Sequence, residues 1–76
     1  MSIKIMRLNE LLKSLQRFDG VNGFNVNTSV RQPTSGFYQV FVDITKNGKR
    51  VANYVSSNID EAYSSIKAFE GLMEVA

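Results

Sequence analysis

Seventy-six residues make one domain, and a chain of this size buries only about 60% of the area its unfolded form exposes. The core is therefore thin, although 43% hydrophobic and 21% charged residues are the composition of a folded domain and not of a disordered chain. With no cysteine and no histidine, the chain has no disulfide, thiolate nucleophile or imidazole base, and hardly any route to a structural zinc site. Binding is thus expected rather than catalysis.

Leu8, Leu11, Leu12, Leu15 and Phe18 recur at helical spacing, with Asn9, Glu10, Lys13, Ser14, Gln16 and Arg17 between them. This predicts an amphipathic helix over about 6–19, ended by Gly20 and Asn22-Gly23. From Phe24 the period becomes two. Phe24, Val26, Thr28 and Val30 share one side of a strand over 24–31, and Asn25, Asn27, Ser29 and Arg31 the other. Pro33-Thr34-Ser35-Gly36 reads as a loop. A second strand over 37–45 runs into Lys46-Asn47-Gly48-Lys49, and Asn-Gly is the preferred centre of a two-residue type I′ turn. The third strand returns over 50–56.

Regular pairing from that turn sets Lys46 opposite Lys49, Thr45 opposite Arg50 and Ile44 opposite Val51. It continues with Val42 opposite Asn53, Phe41 opposite Tyr54 and Val40 opposite Val55. Tyr38, Val40, Val42, Ile44, Val51 and Val55 then form an apolar face that needs covering. Phe37, Gln39, Phe41, Asp43, Thr45, Arg50, Ala52 and Tyr54 form the other face. Asn58 offers an N-cap with Glu61 as its capping-box partner, and Ala62, Ile66, Phe69 and Met73 make the inward stripe of a helix over about 59–73. Gly71 weakens its last turn. The expected fold is α+β, ordered α-β-β-β-α, with a three-stranded antiparallel sheet and both helices on the Val40/Val42/Ile44 face.

Charge is uneven along the chain. Residues 1–50 hold eight basic and three acidic side chains, whereas 51–76 hold one basic and four acidic, so a positive side and a negative end are expected. No run approaches the roughly 20 apolar residues of a membrane span. Met1-Ser2-Ile3-Lys4-Ile5-Met6-Arg7 has neither the apolar core nor the cleavage site of a signal peptide. A cytoplasmic protein is expected.

The open sheet face carries the functional signal. Phe37, Phe41 and Tyr54 are three aromatic rings on a surface a monomer leaves bare, flanked by Arg31, Gln39 and the cationic tip Lys46, Lys49 and Arg50. Rings that stack bases, next to cations that neutralise phosphates, suit nucleic acid, and a sheet can also read base edges in the major groove. The same rings suit a symmetric dimer or a different protein. Catalysis has little to work with: no carboxylate pair stands at acid–base spacing, the serines lack a base, and neither a metal motif nor a cofactor motif is present.

Val30-Arg31-Gln32-Pro33, Gly36, Lys46-Asn47-Gly48-Lys49-Arg50-Val51, Asp60-Glu61-Ala62-Tyr63 and Ala68-Phe69 together resemble the AP2-type DNA-binding domain. The stretch is also similar to the arm-binding domains of phage integrases. The resemblance spans 30–69 and implies a groove-reading sheet with Arg31, Gln39, Lys49 and Arg50 toward DNA. The chain departs from the pattern in having no tryptophan, in reading Ala52-Asn53-Tyr54-Val55 where the family has Leu-Gly-x-Phe, and in its additional N-terminal helix. The order of elements is similar to a double-stranded-RNA-binding domain, but Asn58-Ile59-Asp60-Glu61 stands where that family places phosphate-holding lysines. Size and style also resemble small phage accessory proteins, among them anti-CRISPR inhibitors with a three-stranded sheet flanked by helices. Two functions are therefore carried forward: a non-enzymatic module contacting DNA or a nucleic-acid-handling complex, and a phage-encoded inhibitor acting on a host protein in the host cytoplasm. The second allows for a homodimer through the open face.

Overall fold

The computed structural model describes residues 3–34 and 36–75. Helix α1 (Ile3–Gln16) leads into strands β1 (Phe24–Thr34), β2 (Phe37–Lys46) and β3 (Lys49–Ser56), and helix α2 (Ile59–Glu74) follows. The α+β class and the α-β-β-β-α order are as the sequence predicts. The sheet is antiparallel in the order β1-β2-β3. Both helices lie on one of its faces, and the other face is open.

α1 begins and ends three residues earlier than its apolar spacing suggests. Ile5 is buried and belongs to the first turns. At the other end Arg17, Phe18 and Asp19 bond back to the carbonyls of Ser14, Leu15 and Gln16, so the chain tightens to three-residue spacing beyond Gln16. Phe18 stays packed against the core through that tightened turn.

Asn58 caps α2 as expected, its Oδ1 accepting from the Glu61 N–H at 3.0 Å. The reciprocal half of the capping box does not form. The Asn58 N–H donates to Ser56 Oγ at 3.0 Å, and the Glu61 carboxylate accepts from the Tyr54 hydroxyl. The helices run parallel, because Lys4 meets Asp60 near their N-termini while Arg17 meets Glu74 near their C-termini. An odd number of strands between them requires this direction.

Leu8, Leu11, Leu12 and Leu15 of α1 and Ala62, Ile66 and Met73 of α2 close over Phe24, Val26, Val40, Val42 and Ile44. Among the described residues no polar or charged side chain is buried there. Each fully buried aliphatic side chain contributes roughly 1.5–3 kcal/mol, so a few contacts carry most of the stability of so thin a core.

β1 runs to Thr34, past Pro33, with its pairing to β2 irregular between Arg31 and Thr34. Of the expected 33–36 loop, Ser35 lies outside the described residues. Asn47 and Gly48 both have positive φ, 53° and 84°, which is the type I′ turn expected of Asn-Gly. This turn is tied to the α1–β1 connection, since the Asn47 N–H donates to the Gly23 carbonyl at 2.9 Å. Gly23 has φ 81°, and a Cβ there would overlap the Asn47 side-chain oxygen.

Two glycine substitutions are accordingly expected to act in opposite directions. Gly23→Ala meets both backbone strain and the Asn47 side chain, and should lower the unfolding free energy by about 1–3 kcal/mol. Gly71→Ala lies inside α2 with open space around it, and should raise the unfolding free energy by about 0.5–1 kcal/mol. Urea titrations of the two variants measure both effects.

Candidate functional site: the open sheet face

The β2–β3 pairing starts as the turn dictates, with Lys46 opposite Lys49 and Thr45 opposite Arg50. It then slips by one residue. Ile44 stands opposite Ala52, Val42 opposite Tyr54, Phe41 opposite Val55 and Val40 opposite Ser56, which leaves Val51 as the extra residue of a β-bulge. Every side chain beyond the bulge therefore changes face relative to the regular hairpin.

Tyr54 moves from the open face to the helix side. Its ring lies edge-on to Phe69, with centroids 5.8 Å apart, and its hydroxyl donates to Glu61 Oε1 at 3.3 Å. Ala52 moves with it and packs against the core. Val51 and Val55, expected inside, are 54% and 53% exposed. The sequence does hold a hint of this. Regular pairing places Asn53 among the inward valines without a partner, whereas the bulge turns it outward and leaves it exposed.

The remaining candidates divide into two groups. Phe37, Gln39 and Phe41 alternate on the open side of β2, and Phe37 is 65% exposed. Arg31, paired with Gln39, lays its guanidinium 5.3 Å from the Phe41 ring centroid. Arg50 shares this face, but its Nε donates to Asp43 Oδ1 at 3.2 Å, so its charge is already partnered. Lys46 belongs to the covered side instead, where its ammonium lies 4.9 Å from the Phe24 ring centroid. Lys49, paired with Lys46, is exposed at the same end of the hairpin. The expected cationic tip is thus split between the two sides of the sheet.

The open face is consequently a polar field around one apolar spot. Phe41 and Val55 sit in a shallow depression with Asn27, Ser29, Asp43 and Asn53 on its walls, and sequence reasoning had left Asn53 and Val55 out of this surface. Of the seven acidic residues, Asp43 alone faces this way; the other six lie on α1, on α2 or just after α1 at Asp19. The contrast between the chain's basic and acidic parts largely cancels within the helix layer. Lys4 bonds Asp60 at 2.9 Å, Arg17 bonds Glu74 at 2.8 Å, and Arg17 lies 3.9 Å from Glu70. The two helices hold four basic and five acidic side chains, so the expected negative end is not distinct, whereas the strands hold four basic side chains against Asp43.

Among the described residues no cluster of three His, Cys, Asp or Glu side chains could hold a metal ion, and no helix is long and apolar enough to cross a membrane. Comparison of the chain with protein-family models, with curated proteins and with solved structures found no match.

The bulged register makes a prediction that the regular one reverses. Tyr54→Ala removes a ring packed on Phe69 and should cost about 2 kcal/mol, while Val55→Ala on the open face should stay within about 0.5 kcal/mol. Chemical denaturation of the two variants separates the registers.

Proposed function

We propose that this chain is a small, non-enzymatic binding module whose open sheet face contacts nucleic acid. The observation that carries the reading is the stacked pair of Arg31 and Phe41, with Phe37 exposed beside it on a face that holds one acid in seven. Aromatic rings and a guanidinium plane both accept a stacked base, and the guanidinium also answers a phosphate. Asn27, Ser29 and Gln39 surround the pair, and Asn25 continues the same face beside Thr45, with donors and acceptors suited to base edges or sugar hydroxyls. The resemblance of 30–69 to sheet-reading DNA-binding domains supports the same surface. Arg31 and Gln39 are its principal polar contacts, since Arg50 is held by Asp43 and Lys49 lies at the hairpin end.

A second reading, a phage-type inhibitor of a host protein, is favoured by one specific observation. The centre of the face is apolar, with Val55 beside Phe41, and Asp43 offsets the charge of Arg50. A protein target would bury that centre and leave Arg31 as a rim contact. In either reading the protein works in the cytoplasm.

Fluorescence anisotropy with labelled single-stranded and duplex DNA, at low and near-physiological salt, tests the first reading. Micromolar binding is expected, with affinity falling by roughly 0.7–0.9 power of salt concentration per phosphate contact. Arg31→Ala and Phe41→Ala should each weaken it by on the order of 10-fold, and Arg50→Ala by less. Absence of binding to either DNA at low salt rejects nucleic acid and leaves the protein contact, for which Phe41 is then the expected hot spot.

A further inference from the structure

Among the described residues side chains seal the free edge of β1 at one position and that of β3 at none. On β1 the Val26 N–H donates to Asp19 Oδ1 at 2.9 Å, and its carbonyl accepts from Gln16 Nε2 at 2.8 Å. Val26 thus faces away from β2 and is sealed by side chains from the end of α1. Hydrogen-bonding direction alternates along an antiparallel ladder, so Thr28 and Val30 also face outward. Their partners Val42 and Val40 must then turn toward β3, where Tyr54 and Ser56 answer them. Asn53 and Val55 are left with their N–H and C=O groups pointing away from the sheet. Among the described residues no side chain seals these groups, nor those of Thr28 and Val30, as Asp19 and Gln16 seal Val26.

We propose that β3 is the seam of a homodimer, in which two copies pair their third strands antiparallel about a two-fold axis at Asn53. The axis makes one continuous sheet from two three-stranded ones. It sets Val51 opposite the partner's Val55, and the reverse, so that both exposed valines are covered on the same face. It brings Ala52 opposite the partner's Tyr54 on the helix side.

Charge favours the same register. Lys49, without a carboxylate partner among the described residues, comes opposite the partner's Ser57, at the end where the partner's Glu61 opens α2. Glu61 holds the Tyr54 hydroxyl and no cation among the described residues. An axis at Val51 would instead make the Arg50 side chains of the two copies diagonal neighbours and set Lys49 opposite the partner's Asn53. The seam is one short strand, so the dimer is weak and concentration-dependent. The open-face function does not depend on it.

Sedimentation equilibrium from about 10 µM to about 1 mM should show the mass rising from 8.5 kDa toward twice that value. Val55→Lys and Asn53→Pro should stay monomeric. The proline removes an outward N–H and leaves the β2–β3 ladder intact, and circular dichroism checks that both variants fold. Lys49→Glu should weaken association at low salt, and adding Glu61→Lys should restore it. In the wild type, exchange of the Asn53 and Val55 amides should slow by on the order of 10-fold between dilute and concentrated protein, whether or not the variants fold. A monomer at 1 mM overturns the proposal. So does a dimer that survives both edge substitutions, or one whose Asn53 and Val55 amides exchange as fast as in the monomer.

Discussion

Val51 has no residue opposite it on β2, and side chains alternate along a strand, so this one extra residue decides what β3 shows to each side. Ala52 and Tyr54 go under the helices, and Asn53 and Val55 go to solvent. A regular hairpin would have buried Asn53 without a partner and exposed the Tyr54 ring. The bulge removes both costs and accepts two half-exposed valines instead. Tyr54 then ties β3 to α2 through Phe69 and Glu61, which holds the second helix against the sheet. The composition of the candidate binding face follows from the same slip.

The helix layer is built around a geometric consequence of the strand count. Three strands between two helices make the helices parallel, so their dipoles run side by side and their like ends adjoin. Oppositely charged side chains offset part of that repulsion at both ends, Lys4 with Asp60 and Arg17 with Glu74. Each such exposed pair is worth at most about 1 kcal/mol. Their larger effect is on where charge is displayed. Acidic side chains are drawn to the helix layer, and the sheet face keeps Arg31 as its unpaired cation among the described residues.

Placing both helices on one face leaves a small domain with one surface free for contact. That surface joins a stacked Arg31–Phe41 pair to amide and hydroxyl side chains, a combination suited to a flat, partly polar ligand. The strand edges divide the remaining possibilities. β1 is closed at Val26 by the Gln16 and Asp19 side chains, whereas β3 is closed nowhere among the described residues and carries two exposed valines, which makes it the edge proposed for pairing. A dimer formed there would double the open face and cover only Val51 and Val55 at its border. The proposed seam shares Asn53 and Val55 with the open face and leaves Arg31, Phe37, Gln39 and Phe41 outside it.

Most of the architecture was legible in the sequence because its signals are local. Leucine spacing marks α1, alternation marks β1 and β2, Asn47-Gly48 demands a type I′ turn, and Asn58 caps α2. The order of elements and the choice of a covered Val40/Val42/Ile44 face follow from these signals, as do the open-side positions of Arg31, Phe37, Gln39 and Phe41. Tyr54, Val51, Val55 and Lys46 were not assigned correctly from the sequence. Alternation gives the spacing of faces within a strand but not the count of residues between paired positions, and a bulge changes that count without altering the local pattern. Whether Tyr54 or Val55 is buried depends on which finds the better partner across the sheet, and Phe69 and Glu61 reach Tyr54 only once α2 has folded back. Local chemistry thus determined the elements and their order. Tertiary packing decided the register of β3, because the free energy that separates the two pairings comes from contacts distant in sequence.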